Sequence, residues 1–498
     1  MLEAIVAAVS ALGQGSVILM LLLGVIVGLI FGALPGLSGV TALALVIPFT
    51  YGWEHGMAMY FFTGIMGACT FGGSIPAILL NTPGMAPNAA TCFDGYPMAQ
   101  RGEAKKALAI SATASGLGAM VGVAVLTMLI PIMHEIIMHF GAPEVLMVIL
   151  FGLFSVAFAA RGNMLKGLIA GGVGIFFSLI GMSEVFGVTR FTIGSYYLWD
   201  GLSLIPFLIG IFAVNELLNF SLVGGTVAKT GFLIKGSTIE GIKEVFRHKI
   251  CFFRSSLIGT GVGIVPGVGG TVANFLSYVT AMQMSKQSET FGQGNPEGVV
   301  ASESANNAKD GGALLPTVAF GIPGSAEMAV LLGAFVLHGL NPGPLLFTEH
   351  LDIVFMLVIG LVLANIITSV SGLVLAEYLA RVSTISVYYI IPVLTTICLA
   401  AAFALRNNIW DVLLTTFAGI LGYTFRKAGF PVIPFIIGFI LGEPAERAFH
   451  QSLSISWGSY SIFFVRPISL ILLILSILML VIAFYFGRQQ GESRLEGQ

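Results

Sequence analysis

Gly32-Ala-Leu-Pro-Gly-Leu-Ser-Gly-Val-Thr-Ala42 returns 231 residues later as Gly263-Ile-Val-Pro-Gly-Val-Gly-Gly-Thr-Val-Ala273. Gly32, Pro35, Gly36, Gly39 and Ala42 match Gly263, Pro266, Gly267, Gly270 and Ala273. Both copies lie inside long apolar segments, and Pro and Gly interrupt helices. Interruptions at corresponding positions of two hydrophobic halves point to a binding site in a membrane transport fold. The expected fold class is an all-α, polytopic integral membrane protein: two inverted repeats with broken helices and re-entrant hairpins.

Composition leaves little room for another class. Of 498 residues, 56% are hydrophobic and 9% are charged, against about 25% charged in a soluble domain. Mean hydropathy is +0.97. Apolar runs such as Ala107 to Met133, Ile353 to Leu379 and Ile462 to Phe486 are long enough to cross the hydrocarbon core as helices. No long stretch alternates with period two, as barrel strands would. Dividing apolar length by span length predicts roughly ten to fourteen spans and re-entrant pieces. The N-terminus has no basic region ahead of its apolar stretch, so no cleavable signal peptide is expected. Cys69, Cys92, Cys251 and Cys398 are scattered and form no disulfide or metal framework.

The duplication extends through three blocks in the same order. Pro76, Pro83, Gly84, Ala86 and Ala89 recur as Pro316, Pro323, Gly324, Ala326 and Ala329, and Ile205-Pro-Phe-Leu-Ile-Gly210 recurs as Ile433-Pro-Phe-Ile-Ile-Gly438. The organisation is then 1–220 repeat one, 221–254 a basic cytoplasmic connector, 255–460 repeat two, and 461–498 an extra C-terminal helix with a polar, disordered tail. Lys229, Lys235, Lys243, Arg247, Lys249 and Arg254 place the connector in the cytoplasm. Counting spans back puts Arg161/Lys166 and Arg101/Lys105/Lys106 on that side too. Arg381 and Arg426-Lys427 fall opposite to their first-half counterparts, which suggests inversion; Arg406 and Arg447 run against this scheme.

Three stretches carry chemistry. At the paired interruptions, a restarting helix offers unpaired N–H groups and a positive dipole end that receive a carboxylate. Gly36, Ser38, Gly39 and Thr41 are the substrate candidates in one copy, and Gly267, Gly269, Gly270 and Thr271 in the other. Tight helix crossing by small residues is the competing reading. The Pro-Gly tips Asn81, Thr82, Pro83, Gly84 and Pro323, Gly324, Ser325 read either as the turns of re-entrant hairpins or as extramembrane turns. The third stretch, Ala301-Ser-Glu-Ser-Ala-Asn-Asn-Ala-Lys-Asp-Gly-Gly312, aligns with the apolar Phe61 to Gly72. It is either a functional polar helix at membrane depth or an amphipathic cytoplasmic helix. In the first case Asn306, Asn307 and Lys309 meet a carboxylate. Ser38, Asn88, Asn274, Ser302, Glu303 and Asp310 are the candidate contacts of a coupling cation. No Lys follows a Gly, so there is no Walker A loop. The spacing of His134-Glu135 and His139 does not match a zinc-protease helix. No catalytic set, cofactor or nucleic-acid partner is expected.

At these same residues the chain resembles the large membrane subunit of the tripartite tricarboxylate transporters, the TctA family. Pro35 to Gly39, Pro266 to Gly270, Ser302-Glu-Ser-Ala-Asn-Asn-Ala308 and Gly321-Ile-Pro-Gly324 carry the resemblance. It implies a multi-pass permease of the bacterial inner membrane that takes up citrate-like carboxylates on a sodium (Na+) or proton (H+) gradient. It also implies two partners, a small TctB-like membrane subunit and a periplasmic TctC-like solute-binding protein. A passive anion channel, a carboxylate permease without a binding protein and an intramembrane enzyme are the rival readings.

Overall fold

The computed structural model describes residues 1–159, 164–223 and 235–495; Arg161, Lys229 and the last residues of the tail lie outside them. The first half contains α1 (Leu2–Ala11), α2 (Gly15–Ala33), α3 (Gly39–Val46), α4 (His55–Leu80), α5 (Ala89–Gln100), α6 (Ala104–Ile137), α7 (Ala142–Ala159) and α8 (Met164–Ser178). It ends in α9 (Leu204–Leu208), a π-helical stretch Ile209–Val214, and α10 (Asn215–Val223). The second half contains α11 (Thr238–Arg247), α12 (Lys249–Ile264), α13 (Gly269–Met284), α14 (Pro296–Phe320), α15 (Ala326–Leu337), α16 (Pro344–Glu349) and α17 (Leu351–Val382). It continues with α18 (Val387–Arg406), α19 (Ile409–Lys427) and α20 (Val432–Ile455), and α21 (Ile462–Val465) and α22 (Pro467–Leu495) follow. Among the described residues, β structure is confined to Gly181–Met182 paired with Thr189–Arg190. Among the described residues, six helices are long and apolar enough to cross a membrane, and six shorter apolar helices accompany them.

The halves correspond element by element, and their contacts are reciprocal. α2 lies on α4 as α12 lies on α14; α17 packs on α4 as α6 packs on α14; α1 touches α17 as α11 touches α6. The orientation of the two central helices gives the relation between the halves. Ser74 on α4 bonds Glu303 on α14, and Gly67 O accepts from Asn307. Residue numbers therefore run oppositely along the equivalent helices, so α4 and α14 are antiparallel. Asn307 is also the repeat equivalent of Gly67. A residue meeting its own counterpart marks the two-fold axis, which runs across the helices and inverts one half on the other.

Glycine rows bring the paired helices together. A Cβ on Gly28 or Gly32 would stand 2.5 or 2.2 Å from the carbonyls of Ile65 and Cys69. At Gly259 and Gly263 it would stand 2.4 and 2.3 Å from those of Ala305 and Lys309. These are matching positions in the two repeats. Gly32→Val or Gly263→Val should therefore cost about 1–3 kcal/mol or more through overpacking. The expected readout is loss of the monodisperse size-exclusion peak. Gly261→Ala, with nothing within 4 Å of its added carbon, should leave that peak unchanged.

The directions of these helices exchange the roles expected for the two kinds of interruption. α2 runs parallel to α4, with Gly24, Gly28 and Gly32 beside Phe61, Ile65 and Cys69. α3 then runs back: Gly39 lies against Cys69, whereas Thr50, just beyond α3, and His55, at the start of α4, both bond His338. The Pro35-Gly36 stretch is thus the turn of a re-entrant hairpin, not a break in a through-running helix. α12 and α13 form its counterpart from the opposite side, with Gly270 beside Lys309 and Tyr278 beside Gly298. The Pro83-Gly84 stretch, expected as a hairpin turn, instead interrupts a helix that keeps its direction. Gly84 N–H donates to Gly73 O, Asn88 bonds Ser74, and Gly95 lies on Ile78, so α5 continues parallel to α4. Each of these helices ends on a left-handed residue, Asn81 (φ 53°) or Gly321 (φ 69°). The following N–H, of Thr82 or Ile322, returns to the carbonyl six residues back, of Pro76 or Pro316.

Helical structure extends into both the connector and the tail. The segment after residue 234 in the basic connector is largely helical, forming α11 and the first turn of α12, and Lys106 on α6 pairs with Glu244 at 3.3 Å. The polar tail expected to be disordered is helical to Leu495 as the end of α22, which packs on α7.

Candidate functional site

α4 is buried from Ala58 to Leu79 and α14 from Gly298 to Ala319. An apolar helix buried all round is unremarkable; α14 is not apolar. Its Ser302-to-Asp310 stretch is therefore at the centre of the molecule, which excludes the solvated cytoplasmic helix.

The hairpin turns are docked by equivalent bonds. Gly36 N–H donates to Gly84 O at 3.1 Å, and Gly267 N–H donates to Gly324 O at 3.2 Å. Gly36 (φ 85°) and Gly267 (φ 76°) take left-handed conformations that glycine adopts freely. These two amides are thereby occupied and do not face a ligand. Among the described residues, the N–H groups of Gly39 to Thr41 and of Gly270 to Thr271, in the first turns of α3 and α13, have no partner. Ser38 starts α3 without a side-chain cap bond. The second copy places Gly269 there, at φ 73°.

Both first turns point at one ionic cluster. Gly270 lies where a Cβ would stand 2.4 Å from Lys309 Cε, so a larger residue there would require the lysine side chain to shift. Gly39, its repeat equivalent, lies beside the Glu327 side chain and Cys69. Lys309 Nζ donates to Asp310 Oδ1 at 2.5 Å and to Glu327 Oε2 at 3.4 Å. Ser325 Oγ donates to Glu327 at 3.2 Å and accepts from Met328 N–H, capping α15. Lys309 and Asp310 are only 3% exposed. One cation against two carboxylates gives the cluster a net negative charge. Lys309 is therefore engaged at both sides, not free to meet a ligand alone.

Nearly two helical turns before Lys309 on α14, Glu303 sits fully buried in a cage of hydroxyls. Ser74 Oγ donates to its two oxygens at 2.8 and 2.9 Å, Ser115 Oγ donates at 2.7 Å, and Thr91 Oγ1 donates to Oε1. Ser302 Oγ lies 3.3 Å from Thr91 Oγ1. Asn88 donates to Ser74 Oγ and Thr70 O.

Unpartnered buried polar atoms gather in the same region. They include both amide atoms of Asn306, Asn307 Oδ1, Asp310 Oδ2, Asn88 Oδ1 and Asn274 Oδ1. Asn307 Nδ2 donates to Asn365 Oδ1 at 2.6 Å, and Asn274 Nδ2 donates to Pro87 O at 2.9 Å. Buried polar groups are nearly always bonded, so an asparagine with neither end bonded indicates a group to be bound.

The residues expected from sequence thus divide. Gly39, Gly270, Lys309, Asp310 and Ser325 converge on the ionic cluster. Ser302, Glu303 and Asn88 join the hydroxyl cage. Gly36, Gly84, Gly267 and Gly324 form the backbone docking. Pro83 and Pro323 shape the helix interruptions. Asn81 is exposed and Thr82 bonds back to Leu80 O, so the structure does not bring these two to the cluster. Glu327, Ser74, Thr91, Ser115 and Asn365 were not anticipated. Glu327, two residues past the Pro-Gly-Ser tip, is an ionisable group in an apolar helix and on that ground detectable.

The fold and this centre define a polytopic, all-α membrane protein whose inverted repeats enclose a polar site at their shared axis. The family model of the tripartite tricarboxylate transporter TctA family matches residues 18–437. The chain belongs to that family. A protein described as an uncharacterized 52.8 kDa protein in the TAR-I ttuC' 3' region of Agrobacterium vitis is 31% identical over 461 residues, covering 92% of this chain and 91% of that one. A second A. vitis protein, from the TAR-II ttuC' 3' region, is 31% identical over 225 residues, 45% of this chain and 93% of its own length. No solved structure matches.

Proposed function

We propose that this chain is the permease subunit of a tripartite, ion-gradient-driven importer of organic carboxylates in a bacterial inner membrane. A small membrane subunit and a periplasmic solute-binding protein complete the system. The observation that supports this most directly is the convergence of two hairpins, entering from opposite sides, on Lys309, Asp310 and Glu327. Substrate carboxylates would be received by the free N–H groups of Gly39–Thr41 and Gly270–Thr271, where helix dipoles favour negative charge. Lys309 and the unpartnered Asn306 amide would complete the contacts.

Charge decides why such a site needs a gradient. Asp310, Glu327 and Glu303 outnumber Lys309, and an added carboxylate makes the buried excess larger. Uncompensated charge at membrane depth is costly. The anion therefore enters favourably only with cations, which is the thermodynamic content of symport.

The test is uptake of labelled citrate, malate and succinate by proteoliposomes holding both membrane subunits and supplied with the cognate binding protein. Accumulation above the external concentration, collapsed by an ionophore, is expected. Equilibration without accumulation would instead identify a channel, and failure with every carboxylate would end the assignment.

A further inference from the structure

We propose that Glu303 is the proton-binding site of this chain, exchanging one proton per cycle; the proposal rests on the permease reading and names its coupling ion. Four features support it. The carboxyl group is fully buried and, among the described residues, makes no ion pair. A permanently ionised group in that position has a desolvation cost that protonation removes.

The cage also suits both charge states. Each partner of Glu303 is a hydroxyl, which donates or accepts as required. With Glu303 ionised, Ser74, Thr91 and Ser115 donate to it. With Glu303 protonated, its O–H donates to Thr91 Oγ1, and Thr91 turns its own hydrogen to Ser302 Oγ at 3.3 Å. A lysine or amide N–H in the same place would serve only the ionised form.

Spacing argues for a proton over a metal ion. Cage oxygens lie within 2.9 Å of the carboxylate oxygens. In octahedral coordination at about 2.3–2.6 Å, neighbouring ligand oxygens stand about 3.3–3.7 Å apart, further than these direct hydrogen bonds.

Finally, the site is single. The repeat equivalent of Glu303 is Thr63, whose hydroxyl bonds Met59 O and Tyr60 O within its own helix. The hydroxyls come from α4, α5, α6 and α14, so relative movement of these helices opens the cage. α4 presents Ser74 to Glu303, and α6 presents Ser115 and the further hydroxyl of Ser111; α5 carries Cys92 and Asp94 nearby, and α14 carries Lys309 and Asp310 beyond it.

The test pairs a substrate-free readout with transport. Infrared difference spectra of the purified full-length protein across a pH titration should contain a protonated-carboxyl band that is absent in Glu303→Gln. In Glu303→Asp the band should move in frequency, which keeps the test open should the glutamine variant fail to insert. In proteoliposomes, Glu303→Gln should lose at least about tenfold of pH-gradient-driven accumulation of citrate, malate or succinate while retaining exchange of internal for external substrate. A band unchanged in both variants overturns the proposal, as does undiminished pH-driven accumulation by Glu303→Gln. Sodium-driven uptake by the wild type, indifferent to pH gradient, overturns it too. Absence of uptake by the wild type would instead count against the permease reading and leave the infrared result to decide this one.

Discussion

Lys309→Met should reduce carboxylate uptake by at least about 100-fold, or about 2.8 kcal/mol at the tenfold-per-1.4 kcal/mol rate. The reason lies in the pairs it makes. Lys309 Nζ touches both Asp310 and Glu327, at 2.5 and 3.4 Å, under near-complete burial. Removing one partner from a buried ion pair typically costs about 3–5 kcal/mol, because a desolvated charge remains. The variant should therefore also unfold at lower temperature in detergent. The double change Lys309→Met/Asp310→Asn returns the cluster to its original net charge. It should recover most of the thermal stability and none of the uptake. That separation distinguishes a lysine that receives substrate from one that only neutralises its neighbours. Near-normal uptake by the double variant would assign Lys309 the second role.

Much of this centre is visible in the linear chain because the duplication makes its asymmetries readable. Cys69 stands where Lys309 recurs, and Thr63 stands where Glu303 recurs. The polar residues of one copy, set against the apolar residues of the other, locate the departure from symmetry. What local sequence does not carry is direction. Pro-Gly ends a helix equally well at a hairpin turn and at an interruption after which the chain continues. Only the rows of glycine on carbonyl between α2 and α4, and the stacking of Gly95 on Ile78, decide between them. The cage hydroxyls are hidden for a related reason. A Ser or Thr in a membrane helix ordinarily bonds the carbonyl three or four residues back, as Thr63 does. Ser74, Thr91 and Ser115 have the same local context, and their convergence on Glu303 exists only in three dimensions.

Asn306 offers the opposite pairing of effects from Lys309. Both of its amide atoms are buried without a partner, and each such atom costs about 1–3 kcal/mol relative to a bonded one. Leucine has nearly the same shape and no polar atoms. Asn306→Leu should therefore leave the folded protein at least as stable in the absence of substrate, by about 1 kcal/mol or more, while uptake is lost. Its neighbour behaves differently because it is bonded. Asn307→Leu strands Asn365 Oδ1, which now accepts its N–H at 2.6 Å, and should lower stability by about 1–3 kcal/mol. Thermal unfolding and uptake measured on both variants give a two-by-two comparison. A stabilised, inactive Asn306→Leu identifies an amide kept at a cost to the fold because it binds something else. Full uptake by that variant would remove Asn306 from the substrate path and return its unpaired amide to a matter of packing.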